Sequence, residues 1–202
     1  AYQVIEVLLC TGLTNLSGTL LSRLAFMVVA WLPPTGLLLV AHLYPTQSRT
    51  LHRFSSLMFF CALVLVAGIA LQPSFVSTSV CLVVFARYNN PTPLFSLYGA
   101  FYQFGLLSML LVSAYGVTIC DDRHQRLLLG QVLLGSLAFI FPSLVTVSVI
   151  PVAEKALPSI MCHFALFLAL FLVRLVLIER RWELVDPMED ALPANPLGTA
   201  AG

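Results

Sequence analysis

The sequence predicts an all-α protein, a polytopic bundle of transmembrane helices, on three observations. Of its 202 residues 59% are hydrophobic and only 9% are charged, whereas a water-soluble domain needs roughly a quarter of its residues charged. The apolar residues are gathered into runs near the 20 or so that a helix needs to cross roughly 30 Å of hydrocarbon, without the strict alternation of a membrane barrel. The basic residues cluster at every second junction between those runs. Mean hydropathy is +0.96; the net charge of +1 hides an uneven distribution that bears on orientation rather than on nucleic acid, a partner for which the chain offers no support.

Six spans are predicted in order: Tyr2 to Leu21, Leu24 to Tyr44, Phe54 to Leu71, Phe95 to Ile119, Leu127 to Ile150 and Leu157 to Ile178. The first is the least apolar, being interrupted by Glu6, Asn15 and several Thr, Ser and Gly residues. The second carries Pro33 and Pro34, which remove two amide donors and predict a kink with open carbonyls near Val29 and Ala30. The segment between the third and fourth alternates Val with Thr or Ser before Arg-Tyr-Asn-Asn-Pro, which predicts a small β-hairpin turning at those polar residues. Gly99, Gly105, Ser108 and Ser113 on the fourth span, and Gly130, Gly135 and Ser136 on the fifth, predict close helix approach.

Arg49 and Arg53 follow the second span, Arg123 and Arg126 the fourth, and Arg180 and Arg181 the sixth; the remaining junctions hold only Arg23, Arg87 and Lys155. The positive-inside bias therefore makes these six arginines cytoplasmic anchors and puts both termini in the cytoplasm. Residues 1–186 are expected to form the bundle and residues 187–202, rich in Pro, Gly and Ala, a flexible cytoplasmic tail. No basic region precedes the first apolar stretch, so no cleavable signal peptide is expected. The cysteines (Cys10, Cys61, Cys81, Cys120, Cys162) are scattered singly without metal-binding or redox spacing and are expected to act as small buried hydrophobes, with no disulfide framework.

Few residues carry chemistry. Glu6, an ionisable group inside a predicted span, is expected to face protein and is a candidate ligand contact. Gln103, Gln131 and His163 are further candidates, as polar groups that bond across helices or line a small-molecule pocket. Haem ligation by His42 and His163 is disfavoured because they lie near opposite ends of their spans. A Ser17/His163 dyad near the outer face resembles a rhomboid protease only loosely, with Asn15 where that motif has Gly and no oxyanion hole. His52 and His124 sit in separate basic loops, where no metal site is expected. Asp121 and Asp122 are placed to cap the helix that follows.

Taken in order, "YQVIEVL" with Glu6, "AWLPPTGLLLVAHLYP" with Pro33 and Pro34, "SLYGAFYQFG", "DRHQRLLLG" and "LIERRWELVDPMEDAL" resemble the seven-transmembrane sensor module of bacterial histidine kinases and diguanylate cyclases. The resemblance runs from about residue 2 to 192. It implies a seven-span module lacking its first helix, in a bacterial plasma membrane, that senses a ligand or lipid and passes a helix movement to a cytoplasmic effector. No phosphotransfer, ATP-binding or cyclase motif follows Pro187. The expected function is thus a non-catalytic sensory or signal-relay module without cofactor or metal, with Pro33 and Pro34 as hinge. The alternative is an accessory or scaffold subunit of a membrane complex, holding lipid or pigment and contacting other subunits; an intramembrane serine protease is the distant third.

Overall fold

The structure, a computed structural model, describes residues 2–11, 17–44, 48–81, 86–89, 92–149 and 157–190. Its helices are α1 (Tyr2–Thr11), α2 (Gly18–Val29), α3 (Leu32–Leu43), α4 (Arg49–Leu71), α5 (Pro93–Ile119), α6 (Arg123–Val149) and α7 (Leu157–Asp190). Strands β1 (Thr78–Cys81) and β2 (Ala86–Asn89) pair antiparallel between α4 and α5.

Among the described residues five helical segments are long and apolar enough to cross a membrane: Gly18–Leu43, Arg49–Leu71, Pro93–Ile119, Arg123–Thr146 and Ile160–Trp182. Of the six spans expected, the first, Tyr2 to Leu21, is not found at that length among the described residues. The ten residues of α1 reach about 15 Å at 1.5 Å per residue, half of what the hydrocarbon demands. The next helix starts at Gly18 because Ser17 is a good N-cap, extended in backbone and accepting the Leu20 amide at 3.4 Å. Residues 18–21, assigned from sequence to the end of one span, are instead the start of the next.

That span is broken where the prolines predict it. Helix α2 ends at Val29, Ala30 and Trp31 form a turn, and α3 begins at Leu32 with proline in its first turn. There the missing amides cost little, because first-turn amides have no intrahelical acceptor. Both rings are buried. Sequence reasoning overlooked Pro142, which lies inside α6.

The exterior, as well as the core, carries large apolar side chains. Phe60, Phe141 and Leu166 are each more than 60% exposed, while Ser22, Ser55, Ser113, Ser136 and Ser143 are buried. Four of these hydroxyls donate to the carbonyl four residues back in their own helix, namely those of Ser22, Ser113, Ser136 and Ser143. They therefore serve as small spacers rather than cross-helix glue. An exterior of large apolar side chains suits a hydrocarbon solvent.

The buried residues fall into two clusters. One surrounds Phe26, Ala30, Ile69, Phe75, Val76 and Tyr98; the other surrounds Leu37, Val40, Met58, Leu106, Met109, Leu129, Val132 and Phe139. The Ala30–Trp31 break lies at their border, so α2 packs in the first and α3 in the second.

The hairpin strands pair, and residues expected at its turn lie on a strand instead. Arg87, Tyr88 and Asn89 lie on β2, opposite Val80, Ser79 and Thr78. The cysteine expectation is corrected outright: Cys10 of α1 and Cys81 of β1 form a disulfide, closing across 71 residues. Cys61, Cys120 and Cys162 are not disulfide-bonded. Helix α7 continues to Asp190, past the bundle boundary expected at 186, and residues 191–202 of the expected tail lie outside the described residues.

Candidate functional site

The first span is pinned above its break. Phe26 meets Phe75, Phe95 and Tyr98 edge to face, with ring centroids 5.4, 5.8 and 5.5 Å apart. The Tyr98 hydroxyl donates to the Phe26 carbonyl at 3.3 Å, so the aromatic cluster holds backbone as well as side chain. Arg23 donates through Nε and Nη2 to the Ile69 carbonyl, at 3.1 and 2.9 Å, and through Nη2 to that of Ala70. These are carbonyls of the last turn of α4, which a cation at a helix C-terminus satisfies. The charge bias could not reveal this: Arg23 counts as an exception to it and is here a capping group.

Below the break, beside the buried Pro33, Pro34, Leu37 and Val40, one face of α3 borders a cavity. Leu32, Thr35, Gly36 and Leu39 of α3, Met109 of α5, Val132 of α6, and Leu168 and Leu172 of α7 line a crevice of about 220 Å³. It lies between the roughly 150 Å³ that holds a benzene-sized guest and the 300 Å³ or more of ordinary small-molecule pockets. The one hydroxyl in its wall, that of Thr35, donates to the Trp31 and Leu32 carbonyls at 2.8 and 3.0 Å. The crevice thus offers hydrocarbon contact and no unengaged side-chain donor.

Gly36 and Gly105 show how tightly α3 and α5 approach around it. A Cβ on Gly105 would overlap the Cβ of Pro33 and come within 2.9 Å of Met58 Cε; one on Gly36 would overlap Met109 Sδ. Gly135 opposes α7 in the same way, with Phe171 Cβ at 2.8 Å. Gly99 and Gly130, expected to mark close approach, have no neighbour within 4 Å of a built Cβ.

Among the sequence-predicted site residues, Pro33 and Pro34 adjoin the crevice, and Ser55 donates to the Pro34 carbonyl at 3.4 Å. Gln131 is buried on α6 with no hydrogen-bond partner for Oε1. Gln103 is exposed on α5, not turned inward as expected. His163 is exposed near the start of α7. Glu6 belongs to the short α1, and its side chain lies outside the described residues. Ser17 is the N-cap of α2 and engages the Leu20 amide and Thr19 hydroxyl, which explains it without nucleophilic chemistry. His42, offered against a haem role, pairs edge to face with His52, centroids 5.1 Å apart.

The other end of the bundle carries contacts that sequence reasoning missed. His124, at the start of α6, brings Nε2 within 3.0 Å of Glu179 Oε2 on α7, and its ring lies 4.8 Å from that of Trp182. The two atoms lack hydrogen-bond alignment, so the contact is electrostatic and needs a protonated imidazole to be an ion pair. Asp122 accepts the His124 and Gln125 amides at 3.1 and 3.3 Å, the cap expected there. Arg126 donates to the Cys120 carbonyl at 2.9 and 2.5 Å, closing the C-terminus of α5. Arg49, Arg53, Arg123, Arg180 and Arg181 are exposed. No family model, curated protein or solved structure matches the chain, which leaves the geometry of the crevice and of this arginine-rich end as the basis for its function.

Proposed function

We propose that the chain is a non-catalytic sensory or signal-relay module of a bacterial plasma membrane. Occupancy of the crevice by an apolar chain biases α3 against α7, and α7 carries the bias to a cytoplasmic partner. One observation carries the reading: a single cavity has the segment just after the proline break for one wall and α7 for the other. The 34 residues of α7 span about 51 Å, more than the roughly 30 Å of hydrocarbon, so a tilt within the membrane is delivered beyond it. A guest shifts the two arrangements only as far as it binds them differently. The break supplies such a difference, since α3 can move while α2 stays fixed by its aromatic and Arg23 contacts.

Two independent signals support the orientation. The arginine-rich end fits the cytoplasm by charge bias, and the disulfide at the opposite end fits an oxidising compartment. With five spans the residues before Gly18 face outward and those after Trp182 inward, in place of the expectation that both termini are cytoplasmic.

The test fuses a kinase output domain behind Asp190 and compares native protein with Thr35→Trp, which fills the crevice from an exposed position, and with Pro33→Ala/Pro34→Ala, which heals the break. Kinase output should change in the first variant and lose its response to added fatty acid in the second. Identical output from all three, at equal membrane levels, defeats the reading.

A further inference from the structure

Gln103 lies ten residues after Pro93 and sixteen before Ile119 on α5, about 15 Å from one end of the helix and about 24 Å from the other at 1.5 Å per residue. It is therefore near the middle of the hydrocarbon, yet it is exposed on the outside of the bundle. Among the described residues its carboxamide has no hydrogen-bond partner. Other polar side chains of α5 satisfy themselves: Ser108 and Thr118 donate to the carbonyls of Phe104 and Tyr115 at 2.8 and 2.7 Å. A carboxamide carries two N–H donors and a carbonyl acceptor, and lipid tails supply a partner for neither.

The surface around Gln103 is shaped for close approach. Ser96, Gly99 and Ala100 precede it by seven, four and three residues and Leu107 follows it by four, so all five share one face of the helix. Ser96, Ala100 and Leu107 are exposed, and a Cβ built on Gly99 meets nothing within 4 Å. Toward Pro93 the face is thus low and made of small residues, the surface on which a second transmembrane helix packs backbone to backbone.

We propose that this face of α5 is a homodimer interface, on which a second copy of the chain, inserted in the same orientation, pairs its Gln103 with this one across a two-fold axis normal to the membrane. Such an axis sets residue 103 opposite residue 103 at one depth, and two carboxamides are self-complementary, each donating an N–H to the carbonyl of the other. Ser96, Gly99 and Ala100 bring the two helices close enough for that exchange. A lipid cannot take the place of the second copy, because its polar headgroup stays at the membrane surface, about 15 Å away. The pairing requires only that α5 crosses the membrane, and it is independent of the crevice and of any signalling role.

The experiment reconstitutes the full chain, carrying a donor or an acceptor fluorophore, into phosphatidylcholine liposomes over a range of protein-to-lipid ratios and reads energy transfer against dilution. Native protein should form a dimer that dissociates on dilution. Gln103→Leu, at an exposed position, should weaken it by about tenfold, while Gln103→Asn, which keeps the amide, should weaken it less. Gly99→Leu, which fills space that is empty in the single chain, should weaken it with Gln103 in place. Leu57→Ala, on the exposed side of α4, should leave it unchanged. A chain that stays monomeric at every ratio, a dimer indifferent to Gln103→Leu and Gly99→Leu, or an equal loss with Leu57→Ala overturns the proposal.

Discussion

Helices α2 and α3 are two halves of one membrane-length segment, joined through two residues, and they are held by different physics. Around α2 the contacts are directional: three edge-to-face rings on Phe26, a hydroxyl on its carbonyl, and a guanidinium on the end of α4. The disulfide between α1 and β1 adds a covalent tie at the same end. Around α3 the core contacts are mostly apolar, with the Ser55 hydroxyl on the Pro34 carbonyl and the His42–His52 ring pair as its directional ones, and one side borders a cavity. Directional contacts define a single position, whereas dispersion against a partly empty wall tolerates several. On the reading proposed above, the break at Ala30–Trp31 separates an anchored half from an adjustable one.

The comparison can be broken first at its covalent tie. Cys10→Ser should lower the stability of the oxidised protein by about 4 kcal/mol, the loop-closure value for a tie of this length, read as a fall in melting temperature that reduction of the native protein reproduces. A fall of that size in α3 variants but not here would reverse the assignment of the two halves.

Gly105→Ala is next, at about 2 kcal/mol, because the added methyl meets the buried ring of Pro33, which has no rotamer to give. Thermal melting in a fixed detergent checks it. Tyr98→Phe keeps the rings and removes the hydroxyl from the Phe26 carbonyl, so about 1 kcal/mol should be lost, with hydrogen exchange rising in α2 rather than in α3. The smallest effect is expected at Gly36→Ala, under about 0.5 kcal/mol, although its methyl also overlaps an atom. That atom is Met109 Sδ, on a flexible side chain beside the crevice. Equal costs for Gly36→Ala and Gly105→Ala, measured by the same melts, would show that α3 is no more yielding on one side than on the other.

Much of the architecture was legible because hydropathy reports what a membrane-spanning helix must be. The four later spans and the proline break were read correctly for that reason, as was the hairpin from its alternating Val and Thr. The first boundary failed because apolar content cannot tell a ten-residue helix from half a span; the N-cap at Ser17 decides it, and a Ser-Gly pair is a weak signal amid apolar residues. Cys10 and Cys81 could not be paired from sequence, since pairing depends on which ends of the bundle meet. The crevice was invisible too: its residues come from four helices and are individually ordinary apolar side chains. His124 was read with its basic sequence neighbours, whereas its nearest charge, Glu179, lies 55 positions on and was brought to it by packing of α6 on α7.

Spin labels test the division most directly. One pair, at Leu24 on α2 and Leu97 on α5, reports the anchored half; another, at His42 on α3 and Arg180 on α7, reports the adjustable one, and all four positions are exposed. Filling the crevice with Thr35→Trp should shift the His42–Arg180 distance on the order of 1–2 Å and leave the Leu24–Leu97 distance unchanged. Movement of both pairs together, or of the upper pair alone, would contradict a hinge at Ala30–Trp31.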